Sequence, residues 1–192
     1  TKIIEECLKE ELPPVYEDYN SLITLYEEFI NHFRRVEKDV MLEDNGIDPL
    51  TGLRSIKAFK KDYLAEMDRL ARQGKQFTVA LMRIDGFDIM KETYDHEGVH
   101  SYQRGVADII KKSIRSFDDG YRMDSDEYLL LFKQSDMQGG LKAMERLKRE
   151  LEKQNLTYEI SEETLPVSLS SCIAAPVVGD LFDVDEMREY LD

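Results

Sequence analysis

Apolar side chains recur along this chain in two rhythms. One steps by three and four residues, the other forms short unbroken runs, and Pro, Gly and Asp separate them. Residues 1–12 carry the first helical pattern, stopped by Pro13-Pro14. From 15 to about 42, Ile23, Tyr26, Ile30, Phe33 and Val40 fall at helical steps or multiples of them. Glu27, Glu28, Arg34, Arg35, Glu37 and Lys38 take much of the opposite face. This spacing predicts an amphipathic helix of roughly 28 residues, about 40 Å long. Two readings of it stand side by side: a helix packed on its own domain, or a stalk that pairs two protomers or joins an upstream sensor module.

Asp44-Asn45-Gly46 breaks that helix, and the turn Asp48-Pro49-Leu50-Thr51-Gly52-Leu53 follows. Residues 55–72 predict a second amphipathic helix with Phe59, Leu64, Met67 and Leu70 inward, closed by Gln73-Gly74-Lys75. The run 77–84 (FTVALMRI) predicts a buried strand with Asp85-Gly86 at its C-terminal end. Residues 87–94 predict a short helix and 101–116 a longer one on Val106, Ile109, Ile110 and Ile114. Residues 121–123 and 128–132 pair as a hairpin. Gly139-Gly140 precedes a helix over 141–153, 165–174 is one further strand, and 183–192 reads as the start of a helix that is cut. Such alternation predicts an α/β sandwich, a small central sheet covered by helices. The domain boundaries expected are 1–43 for the helical segment and 44–192 for the sandwich.

Composition narrows the function. The net charge of −14 argues against broad contact with nucleic acid or anionic lipid, though an anionic small molecule needs only a local arginine cluster. No apolar run approaches a membrane-spanning length and the start lacks a signal-peptide layout, so a cytoplasmic protein without direct membrane contact is expected. The first residue is not Met, which reads as a piece of a longer chain whose input and output domains are unknown. Cys7 and Cys172 are too few and too distant for a disulfide framework or a metal cluster. The acidic run 159–163 reads as a solvated loop.

The hairpin carries the candidate chemistry. Asp124, Ser125, Asp126 and Glu127 form its tip, with Arg115 and Arg122 upstream. An acidic tip beside arginines suits a nucleotide and its metal.

DPLTGL at 48–53, the strand ending in Ile84-Asp85-Gly86-Phe87, His96 and Arg122-Met123-Asp124-Ser125-Asp126-Glu127-Tyr128 together resemble the GGDEF domain of diguanylate cyclases. Those enzymes join two GTP molecules into cyclic di-GMP. The resemblance covers about 44–175 and implies a nucleotidyl-cyclase-like sandwich with a mostly antiparallel sheet. It also implies that the catalytic end is degenerate. The family's Gly-Gly-Asp/Glu-Glu-Phe reads Asp124-Ser125-Asp126-Glu127-Tyr128 here, and a family Mg²⁺-binding Asp falls on Arg83. The family's phosphate Lys falls on Asp88, and the Asn and Asp that read guanine fall on Lys91 and His100. A unit-charge pair at ~4 Å and an effective dielectric of about 20 is worth roughly 4 kcal/mol, so a dication opposite Arg83 is repelled by about twice that. Asp124 adds charge and a Cβ where phosphates approach bare backbone in the family. No metal is therefore expected, with Asp126 as the residual candidate and Mg²⁺ only if cyclase activity persists. Arg83 is expected to fill the vacant metal position and pair with Asp126 or Asp124.

A second family feature is kept. The inhibitory product site, Arg-x-x-Asp, stands as Arg115-Ser116-Phe117-Asp118, and a supporting arginine falls on Arg146. The resemblance assigns cyclic di-GMP to these three residues, since Arg forks onto the guanine edge or phosphate and Asp accepts from guanine N–H groups. Out of that context the pattern is also that of a solvated i, i+3 ion pair. His32 and His100 show no metal spacing, and His96 reads as a packing residue. Three functions follow: an inactive cyclase-like receptor for cyclic di-GMP acting as a homodimer, a weakly active cyclase, or an interaction module that binds no nucleotide.

Overall fold

The computed structural model describes residues 16–154, 156–160 and 163–191. The helix expected over 1–12 lies outside them. The chain divides into two compact units between Asp44 and Asn45, one residue after the boundary read from the sequence.

The first unit contributes helix α1, Tyr16–Asp44. Along it Tyr19, Leu22, Tyr26, Phe29, Phe33, Val36 and Val40 succeed one another at alternating steps of three and four, and all are exposed on this helix. The seam is thus more regular than the one read from the sequence, which followed Ile23 and Ile30.

The second unit holds a five-stranded sheet in the order β1-β3-β4-β2-β7, with β1 Arg54–Ser55, β2 Thr78–Ile84, β3 Asp119–Arg122, β4 Glu127–Phe132 and β7 Leu169–Ala174. Only β1 and β3 run parallel; the other pairs are antiparallel. The side-chain period of two sorts the central strands onto two cores. Ala80, Met82, Ile84, Tyr128, Leu130 and Phe132 meet α3 (Phe87–Thr93), α4 (His96–Ser113) and α5 (Met137–Gln154). Val79, Leu81, Leu129 and Leu131 meet α2 (Ile56–Gln73) and Met187 of α6 (Val184–Glu189). Both faces of β2 are covered, which is why its sequence is an apolar run rather than an alternation.

Local chemistry sets the boundaries. Ser55 caps α2 by accepting from the Ala58 N–H, and Gly74 ends it in the left-handed conformation at φ 65°. Asp95 caps α4 through the Gly98 N–H at 2.8 Å, so that helix starts at His96 rather than 101 and ends at Ser113 rather than 116. Leu64, expected inward, is exposed, and the inward positions of α2 are Phe59, Tyr63, Glu66 and Leu70. Gly139-Gly140 lie inside α5, because Gly140 packs so closely on β2 that a Cβ would stand 2.8 Å from Thr78 Cγ2.

The strand expected over 165–174 is two strands in two sheets. β6, Glu163–Pro166, pairs with β5, Thr157–Ile160, as a separate hairpin, and β7 joins the main sheet. Between them the Val167 N–H turns aside to the Leu156 carbonyl at 2.8 Å. The acidic run expected as a loop sits on that hairpin, with its residues 161 and 162 outside the described ones. Among the described residues no helix is long and apolar enough to cross a membrane.

Candidate functional site

Residues 123–126 connect β3 to β4. The Met123 N–H reaches the Glu127 carbonyl at 2.9 Å, the Ile84 N–H reaches the Asp126 carbonyl at 2.9 Å, and Asp124 accepts from the Ser125 N–H at 2.7 Å. From α4, Gln103 donates Nε2 to the Ser125 carbonyl at 2.5 Å. Arg122 donates Nη1 to the Asp48 carboxylate at 3.2 Å, and Asp48 in turn accepts from the Thr51 N–H at 2.8 Å and its hydroxyl at 2.5 Å. Gly52, at φ 65°, closes the same turn onto the Asp48 carbonyl. The DPLTGL segment is therefore a clamp that holds the hairpin strand, and Arg122 is its structural partner.

Arg83 and Glu127 are register partners across β2 and β4, and share the sheet face covered by α2 and α6. Glu127 is buried and accepts a forked pair of bonds from Arg188 of α6, whose own charge this partner strengthens. Arg83 donates to the Leu191 carbonyl at 3.0 Å, and its charge tends to lower the Asp126 carboxyl pKa. That effect loses to burial and to the neighbouring Glu127 and Asp124, so Asp126 stays above the ordinary aspartate range. Lys91 pairs with Asp88 at 2.7 Å, which with the fields of Asp126 and Asp124 raises its pKa. Despite three acidic residues in four, no group of three or more acidic, histidine or cysteine side chains among the described residues is arranged to hold a metal ion.

The second site lies at the other end of the hairpin. Residues 115–118 are a β-turn and not the last residues of the helix expected to reach 116: the Asp118 N–H bonds the Arg115 carbonyl at 3.0 Å. Asp118 is buried and accepts from the backbone N–H of Arg115 at 3.2 Å and of Lys133 at 3.1 Å. Burial raises its pKa, while those bonds and the charges of Arg115 and Arg146 oppose the rise. Arg146, from α5, donates Nε to the Ser113 carbonyl at 2.5 Å, at the electronegative end of α4. Its Nη2 is buried without a hydrogen-bond partner, as is the Ser113 hydroxyl. Arg115 itself is exposed and lies over the Phe117 ring, 5.7 Å from its centroid.

The fold thus brings Arg115, Asp118 and Arg146 together from a turn and a helix 28 residues later, and gathers Arg83, Asp126 and Glu127 at the opposite end. His96 is exposed at the first turn of α4 rather than packed, and its ring stands 6.4 Å from that of His100. Arg188 escaped the sequence reading. Its signal is that it is the one basic residue in the acidic stretch 180–192.

Comparison with known proteins fits this geometry. Residues 45–186 match the family described as "Diguanylate cyclase, GGDEF domain". Diguanylate cyclase DosC of Escherichia coli is 22% identical over 165 residues, 86% of this chain but 35% of DosC, so the chain spans about a third of that relative. The coiled coil and GGDEF domain of DgcB from Caulobacter crescentus, solved with c-di-GMP, superposes with a TM-score of 0.65 at 19% identity, covering 96% of this chain and 90% of that one. Diguanylate cyclase SiaD, solved with its activator SiaC from Pseudomonas aeruginosa, gives 0.65 at 20% identity, covering 97% and 70%.

Proposed function

This chain belongs to the GGDEF family of diguanylate cyclase domains, and from that membership we propose that it is a receptor for cyclic di-GMP that no longer synthesises it. The observation that carries the reading is the convergence of Arg115 and Arg146 on Asp118, with a buried Arg146 Nη2 still in need of an acceptor. Guanine and phosphate supply the acceptors, and a carboxylate with four lone-pair positions can take guanine N–H groups beyond its two backbone bonds. The DgcB structure was solved with this ligand.

Loss of synthesis rests on the other end of the hairpin. The residues there do not fit a divalent cation, because Glu127 is committed to Arg188 and its cross-strand partner is Arg83. The Arg188 guanidinium takes the Glu127 oxygens that Mg²⁺ needs, Arg83 adds its charge near Asp126, and a cation there is repelled. Asp124 and Ser125 further stiffen a tip that accommodates phosphate through glycines in the family.

The exposed three-and-four seam of α1 supports a homodimer through a parallel coiled coil, with bound ligand acting on the pair. Upstream and downstream domains would then read the signal.

Calorimetry tests the reading. The protein is expected to bind cyclic di-GMP at micromolar or tighter Kd, and Arg115→Ala or Arg146→Ala to weaken it by roughly ten- to a hundredfold, the worth of a charge-assisted bond. Incubation with GTP and Mg²⁺ is expected to give no cyclic di-GMP by chromatography. Absence of binding heat at saturating ligand overturns the receptor reading, and product that disappears in Asp126→Ala overturns the loss of synthesis.

A further inference from the structure

The turn that presents Arg115 carries an aromatic ring where turns ordinarily place small polar residues. Phe117 sits at its third position and is 48% exposed. The turn is stiff, held by the bond from the Asp118 N–H to the Arg115 carbonyl and by the Asp118 carboxylate on the Arg115 N–H. Phe117 therefore has little freedom to fold inward. Its one described ring contact is the Arg115 guanidinium, whose carbon lies over the ring 5.7 Å from the centroid. A planar cation thus lies over an aromatic ring at the edge of a site whose third member, Asp118, selects N–H donors.

This pairing has the parts that one purine requires. A guanine is read on its edge by an arginine fork and a carboxylate, and on its face by an aromatic or guanidinium plane. We propose that Phe117 is the stacking residue for one base of the bound dinucleotide, and with Arg115 and Asp118 sets a preference for guanine. The inference rests on the receptor reading above. In the free protein the Arg115 guanidinium covers the ring; on binding it swings to the base edge and the base takes its place on the phenyl face. The stack needs no second protomer, so this site engages at least one base within a single chain.

The chain has no tryptophan, which makes the test direct. Phe117→Trp places a single indole at the turn, and a stacked guanine quenches its emission. Titration with cyclic di-GMP is expected to quench that fluorescence with the same midpoint as the calorimetric isotherm. Phe117→Ala and Phe117→Leu are both expected to weaken binding about tenfold, the usual cost of removing an aromatic from a base stack, while Phe117→Tyr binds as the parent does. Leu separates stacking from apolar contact alone. The side chain is exposed, so melting temperatures should be unchanged. Equal affinity in Ala and parent, with no quenching in the Trp variant, overturns the role of Phe117 and leaves the receptor reading intact. If the parent protein binds no cyclic di-GMP at all, both fall together.

Discussion

Arg188 and Glu127 are joined by a fork of hydrogen bonds, Nε to Oε1 at 3.0 Å and Nη2 to Oε2 at 2.5 Å, that ties the last helix to the first residue of β4. Glu127 is buried, while Arg188 keeps about a third of its side chain in water and holds Asp185 at 2.7 Å with its remaining nitrogen. The two residues stand 61 positions apart in sequence, and the pair closes the end of the sheet beside the β3–β4 tip.

Removing Arg188 strands a buried carboxylate. Arg188→Ala is expected to cost about 2–3 kcal/mol, below the usual range for a fully buried pair because Arg188 is partly solvated. That corresponds to a fall in Tm of roughly 5–10 °C for a chain of this size. The double variant Arg188→Leu with Glu127→Leu should recover most of the loss. Urea denaturation of the three proteins checks this; an Arg188→Ala variant as stable as the parent contradicts the pair.

Asp126 gives a pH dependence with a fixed sign. Burial first, then the charges of Glu127 and Asp124, raise its folded pKa above the ordinary 3.8. A raised acid binds its proton more tightly when folded, so its contribution to stability is unfavourable above the raised value and is relieved as pH falls through it. Asp126→Asn should therefore raise Tm at pH 7, and the gain should shrink toward zero on acidification. Thermal melts of both proteins across pH 4–8 decide it, and a gain that grows as the pH is lowered is the wrong sign.

Gly140 is a packing position inside α5. Adding a methyl group there places it 2.8 Å from both Thr78 Cγ2 and Ile173 Cδ1, each on a strand of the main sheet. Helix propensity favours alanine by about 1 kcal/mol, but overpacking of a closed helix–sheet contact costs roughly 1–3 kcal/mol. Gly140→Ala should be net destabilising in chemical denaturation, whereas the same change at Gly74, where nothing lies near, acts only through its φ of 65°.

The seam on α1 predicts an oligomer. Phe29 and Phe33 are both exposed on the helix, with rings 6.5 Å apart. Replacing both by Glu should convert a dimer to a monomer in analytical ultracentrifugation while leaving the melting of the second unit unchanged. A parent protein that sediments as a monomer removes the stalk from the account.

The sequence by itself determined the type and order of the helices and of the strands β2, β3 and β4, because period and punctuation are local, but it missed β1 and β5 and merged β6 with β7, whose pairing is not local. The unbroken run 77–84 could only be a strand covered on both sides, and Ser55 with Gly74 marked one helix to within a residue or two. It also singled out Arg115, Asp118 and Arg146 as candidates through a family spacing, and the fold places the charges of both arginines near Asp118. What it left open depends on contacts between distant residues. Leu64 has a helical step but faces away, since rotation of α2 is set by the ring cluster of Phe59, Tyr63 and Phe77. Arg115 and Asp118 share a turn and not a helix face, because α4 ends at an extended Ile114. Arg188 could be paired with Glu127 only once the sheet and the last helix had been brought together. Charge at the β3–β4 tip was legible in the chain; which guanidinium neutralises which carboxylate was decided by tertiary packing, since an ion pair depends on distance in space and not in sequence.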